Sequence, residues 1–104
     1  MLACIKYVYY TYAMEFEWNE AKAASNLKKH GVTFEEALSC FYDQKQVVFY
    51  DPDHSEDEDR ELMIAHSERG RVLFVAYTLR EDIIRIISVR KATRKEEMMY
   101  AQGI

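Results

Sequence analysis

The chain has 104 residues, 49% of them apolar and 31% charged, with a net charge of −4. That length and that mixture of signs fit one soluble domain with one modest core and argue against a disordered chain. Two cysteines, Cys4 and Cys40, are too few for a disulfide framework or a four-ligand zinc set, and they favour a reduced, cytoplasmic protein.

Residues 1–13, MLACIKYVYYTYA, carry one Lys and a short, Tyr-rich apolar run. They make a poor signal peptide, because the basic n-region is weak and the apolar core is interrupted, and they are far too short to span a bilayer. Their Tyr and Val content would suit an extra edge strand. We expect Met14 to be the natural start, residues 1–13 to be an upstream extension, and residues 14–104 to be the single working domain.

Glu15 to Trp18 (EFEW) alternates like a first strand, and Asn19 suits the N-cap of a helix from Glu20 to His30. Ala21, Ala24 and Leu27, with the stem of Lys28, give that helix an apolar stripe, and Gly31 closes it. Lys28, Lys29 and His30 fill its last turn, where the helix dipole favours cations, so no ligand is needed to explain them. Thr33-Phe34-Glu35-Glu36 reads as a capping box opening a second helix that runs to about Tyr42 and buries Phe34, Ala37, Leu38 and Phe41. Val32 is placed to staple onto Ala37. Gln46 to Tyr50 is the next strand, stopped by Asp51-Pro52-Asp53.

The run Asp51 to Glu61 holds seven acids and Arg60, which more than accounts for the net charge. Carboxylates crowded around His54 invite a metal. A calcium loop, however, wants Gly at its sixth position and Glu at its twelfth, where Glu56 and Leu62 stand. A solvated loop able to touch a basic partner is expected, with no metal and no cofactor.

Arg60 to Ser67, Val72 to Leu79 and Ile83 to Arg90 follow as an antiparallel meander. Gly70 supplies the positive φ of the first turn, and Arg80-Glu81-Asp82 is too short for a helical crossover. Thr93 caps a last helix, Arg94 to about Gln102, with Glu96 at N3 in an imperfect capping box and Met98 and Met99 available to pack. The order predicts an α+β domain, its helices on one face of an antiparallel sheet.

From Arg80 to Lys95, six cations (Arg80, Arg85, Arg90, Lys91, Arg94, Lys95) stand against Glu81 and Asp82. Such a surplus attracts anions, and nucleic acid is the commonest large one in a cytoplasm. RNA carries its own nucleophile, the 2′-hydroxyl. A cleaving site must therefore take a proton, neutralise charge on phosphate and protonate the leaving oxygen, work that His, Lys and Arg can do without a metal. Each residue also has a plainer reading: His30 as a helix cap, Arg85 paired with a carboxylate such as Glu61, Tyr100 as core. Positions 85 and 90 differ by an odd number, so a regular strand points them to opposite faces, and they share a site only across a bulge or a strand end.

Several blocks resemble the BrnT toxins. Phe16-Glu17-Trp18-Asn19 and Asn26 to Ala37 (NLKKHGVTFEEA) are similar to that family's opening signature. Asp57-Glu58-Asp59-Arg60, Arg71 to Thr78 (RVLFVAYT) and Ile84 to Ala92 (IRIISVRKA) are similar to its later blocks, in the same order and at similar distances. The resemblance runs from Met14 to about Tyr100. It implies a fold similar to RelE-type ribonucleases and a toxin that cuts RNA and arrests translation. It also implies a BrnA-type antitoxin with a ribbon-helix-helix domain, through which alone the complex would reach DNA and repress its own operon. No membrane role is implied.

Carried onto matching positions, the resemblance points to Lys29, His30, Arg60, Arg80, Arg85, Arg90 and Tyr100. We expect Lys29 or His30 to move protons and Arg85 and Arg90 to hold phosphate, with Lys28, Arg60, Arg80, Lys91 and Tyr100 touching RNA. Asn19 stands where the family usually has Asp, Ala65 where Gly is common, and Val89 where Ala is usual. Two competing readings are a non-catalytic corepressor that keeps antitoxin binding, and a nucleic-acid-binding domain with no toxin role.

Overall fold

The computed structural model describes residues 6–11, 14–51, 53 and 59–103, with side chains described for 15–51, 53 and 59–103. Cys4, His54 and most of the acidic run lie outside the described residues. Among the described residues nine elements follow in order: β1 (Lys6–Thr11), β2 (Met14–Asn19), α1 (Glu20–His30), α2 (Phe34–Cys40), β3 (Val47–Tyr50), β4 (Arg60–His66), β5 (Val72–Arg80), β6 (Ile83–Lys91) and α3 (Arg94–Gln102). The six strands form one sheet in the order β1-β2-β6-β5-β4-β3.

The expected meander is present in β4, β5 and β6, and β3 extends it by pairing antiparallel with β4. Two features differ from expectation. β2 joins β6 in parallel, with Glu15, Phe16 and Glu17 opposite Ile83, Ile84 and Arg85. Parallel pairing demands a long connection, here supplied by everything between β2 and β6. The β5–β6 register also slips, with Ala76 opposite Ser88 but Tyr77 opposite Ile86, so Ile87 is the extra residue of a β-bulge.

One face of the sheet carries the core. Phe16 and Trp18 of β2, Met63 and Ala65 of β4, Leu73, Val75 and Tyr77 of β5, and Ile84, Ile86 and Val89 of β6 pack against Val32, Phe34, Ala37 and Cys40. Rings interlock edge to face, Phe41 lying 5.1 Å from Phe16 and 4.9 Å from Tyr77, and Trp18 5.7 Å from Phe34. A fully buried phenylalanine of this kind contributes about 1.5–3 kcal/mol.

The caps read from sequence form. Asn19 Oδ1 accepts the Lys22 N–H and Gly31 closes α1 at φ 71°, while Thr33 Oγ1 accepts the Glu36 N–H. Thr93 and Glu96 complete both halves of a capping box. The buried face of α1 departs from the predicted stripe: Ala24 is exposed and Leu27 is 47% exposed, whereas Asn26 is buried. The reason is polar. Beyond Arg85, β6 has no described strand on its β2 side, and Asn26 takes that place by bonding both the N–H and the C=O of Val89 and the C=O of Val32.

Glu36 likewise leaves its predicted capping role. Its buried carboxylate accepts hydrogen bonds from Arg71 Nε and Nη2 and from the Ser67 hydroxyl, which ties α2 to the β4–β5 turn. The third helix departs from a one-face arrangement. Glu96 is held by Arg90, and Tyr100 lies beside His66; by register both Arg90 and His66 belong to the face opposite the core.

Candidate functional site

Residues directly opposite one another in neighbouring strands share a face of the sheet. Arg60 lies opposite Thr78, Thr78 opposite Arg85, and Arg85 opposite Glu17, so one rung crosses β4, β5, β6 and β2 on the face away from the core. Arg80 stands two residues beyond Thr78 on the same side. Farther along, Phe74 lies opposite Arg90, whose guanidinium carbon sits 4.2 Å from the Phe74 ring centroid. The bulge at Ile87 thus corrects the parity that would have sent Arg85 and Arg90 to opposite faces. Arg60, Arg80, Arg85 and Arg90 all project from one surface.

Arg85 and Arg90 are both anchored to carboxylates. Arg85 Nη1 donates to Glu17 Oε2 at 3.2 Å, so its carboxylate partner comes from β2 and Glu61 serves the Tyr77 hydroxyl instead. Arg90 makes a two-pronged contact with Glu96, 2.9 Å on each prong. The Glu96 bond holds the Arg90 pKa above its ordinary value. Burial pushes the Glu96 carboxyl up, but the bonds it accepts from Arg90 and the Thr93 backbone leave it below the usual carboxylate range. Such anchoring fixes the arginines' direction while leaving other guanidinium hydrogens for a ligand.

The α1 cations occupy a neighbouring place. Lys29 and His30, with Lys22 and Ser25, line a groove of about 230 Å³ whose far wall is Ile87 and Ser88 of the bulge. Ser88 has the parity of the arginine face, so the groove meets that face along the edge of β6. Lys28 is exposed one residue earlier on α1, and Lys91 is exposed at the end of β6 with the parity of the core face. Tyr100 sits apart from the rung: its hydroxyl donates to Asp43 at 2.7 Å. Burial and that bond push its pKa up to about 12.

A roomier hollow of about 680 Å³ lies across the molecule between α2 and the end of β4. Glu35, Asp43 and Glu68 line it, which makes it a poor seat for a polyanion despite its size. Among the described residues no group of three or more His, Cys, Asp or Glu is placed to hold a metal ion, and no helix is long and apolar enough to cross a membrane.

Sequence reasoning missed three participants. Thr78, buried between Arg60 and Arg85, interrupts an apolar strand with a hydroxyl, and that interruption was the available signal. Glu17 and Ser88 gain their places from the parallel pairing and the bulge, which no local pattern announces.

A family model described as "Ribonuclease toxin, BrnT, of type II toxin-antitoxin system" matches residues 18–96. No curated protein matches the chain in sequence. Among solved structures, the 1.1 Å crystal structure of the Brucella abortus ribonuclease toxin BrnT is similar, with a TM-score of 0.51 and 23% identity over 74% of this chain and 94% of that one. At that identity the likeness speaks for the fold, and the family match for the lineage. The chain therefore belongs to the BrnT family, the ribonuclease toxins of type II toxin–antitoxin systems.

Proposed function

We propose that this protein is an endoribonuclease that needs no metal, cuts RNA through the substrate's own 2′-hydroxyl, and thereby arrests translation. The observation that carries the reading is the bulge at Ile87, which brings Arg90 onto the face that already carries Arg60, Arg80 and Arg85, beside the groove lined by Lys29 and His30. Polyphosphate backbones are held by such surfaces, and forked guanidinium donors suit a phosphate gaining negative charge. In this reading Lys29 or His30 takes the 2′-hydroxyl proton and returns one to the 5′-oxygen that leaves. Arg85 and Arg90 neutralise the pentacovalent phosphate, and Lys28, Arg60, Arg80 and Lys91 guide the strand. An antitoxin of the BrnA type, with a ribbon-helix-helix domain, neutralises the toxin and brings the complex to DNA.

Inducing residues 14–104 in a bacterium without antitoxin tests the reading and the assignment of the working domain together. Growth arrest with fragmented RNA is expected, and purified protein should cut RNA equally well with and without a chelator. Continued growth with intact RNA, from folded protein, would remove the enzyme and leave a partner-binding corepressor.

A further inference from the structure

We propose that the hydroxyl of Thr78 is a phosphate ligand, completing an oxyanion site between the guanidinium groups of Arg60 and Arg85. The identity of the ligand rests on the ribonuclease reading above; the geometry rests on the fold. Thr78 is 3% exposed, and its Oγ1 has no hydrogen-bond partner among the described residues. A buried hydroxyl in that state destabilises the fold, because it gives up water without gaining a protein partner. Valine has the same shape, suits a strand at least as well, and carries no such cost. The position is therefore worse for stability than its nearest apolar substitute, which is the mark of a group kept for another use.

What that use is follows from the neighbours. Arg60 and Arg85 flank Thr78 on the same rung, and guanidinium groups only donate. The hydroxyl can add a third donor, so the complement of the three is a compact, acceptor-rich anion. Glu17 holds Arg85 from the far side through one nitrogen, and at the other end of the rung Asp51, whose N–H bonds the Arg60 carbonyl, continues the register opposite Arg60. Arg80 stands two residues along β5 on the same face. A tetrahedral phosphate oxyanion, from an RNA backbone or free in solution, matches this set, and we assign the site to the backbone of RNA.

The test compares wild type, Thr78→Val and Thr78→Ser in the full chain. Three readouts are used: arginine Nε–Hε NMR signals on titration with inorganic phosphate, affinity for an uncleavable 2′-O-methyl oligoribonucleotide, and cleavage of RNA. Thr78→Val should melt no earlier than wild type yet bind the oligonucleotide about tenfold more weakly, the loss of one charge-assisted hydrogen bond. Thr78→Ser should bind within about twofold of wild type. Unchanged binding by Thr78→Val overturns the proposal, as does early melting, which would make the hydroxyl structural. Phosphate that moves the arginine signals while the oligonucleotide does not bind overturns the assignment to RNA. Wild type that binds through Thr78 but cuts nothing upholds the site and sinks the ribonuclease reading alone.

Discussion

Asn26→Ala should be among the most damaging single substitutions in this domain, and Leu27→Ala beside it among the mildest. The Asn26 side chain makes three buried hydrogen bonds: Nδ2 donates to Val89 O at 2.8 Å and Val32 O at 3.1 Å, and Oδ1 accepts the Val89 N–H at 3.1 Å. At about 1 kcal/mol net for each, and with buried backbone groups then left unmatched, the loss should be roughly 3–5 kcal/mol. Against a domain stability of about 5–15 kcal/mol that is a large fraction, and it should lower Tm by roughly 15–20 °C. Leu27 is 47% exposed, so its truncation should cost less than about 1 kcal/mol, partly offset by alanine's helix propensity. Urea unfolding followed by circular dichroism measures both. If Leu27→Ala proves the worse of the two, or Asn26→Ala loses less than about 1 kcal/mol, then α1 is held by its apolar residues and the polar bridge to β6 is incidental.

Three further outcomes are expected. Arg85→Ala removes one ion-pair partner of the Glu17 carboxylate and should cost about 1–2 kcal/mol as well as activity, since the pair is mostly buried. The double variant Glu17→Gln/Arg85→Gln should recover the stability but not the RNA cleavage, and recovery of cleavage would free Arg85 from any role in it. The Arg71 bond holds the Glu36 carboxyl below its ordinary value; for Asp43, burial pushes up but bonds from the His66 backbone and the Tyr100 hydroxyl more than offset it. Both pKa values are lower in the folded state, so their stabilisation is present above the unfolded value and drains as pH falls below about 4.5 and 3.8 respectively. Glu36→Gln should flatten the acid limb of a stability–pH curve, and an unchanged limb would refute this origin. Burial pushes the Cys40 thiol up to about 12, so in a Cys4→Ser background it should resist a thiol reagent at pH 8 until the protein unfolds. Prompt labelling of folded protein would show that the core opens.

Local chemistry was legible in the sequence, and remote register was not. The α1 and α3 boundaries, the caps at Asn19, Thr33 and Thr93, and the closing Gly31 follow from short-range rules and stand where those rules put them. The apolar stripe on α1 misled because burial is decided by what lies opposite, and opposite α1 lies a strand edge that wants hydrogen bonds more than methyl groups. Glu36 fits a capping box by spacing, yet Arg71, 35 positions away, is a stronger partner than the Thr33 backbone. The basic residues were readable as a group from charge alone. That Arg85 and Arg90 share a face depends on one added residue in β6, and alternation cannot foresee an insertion.

The parallel pairing of β2 with β6 also governs when the arginine rung can assemble during synthesis. The β4–β5 hairpin and α2 can begin to organise as they emerge, but β2 must wait across a separation of 68 residues for Arg85 before Glu17 meets it. A ribosome carrying an unfinished chain therefore bears no assembled arginine rung.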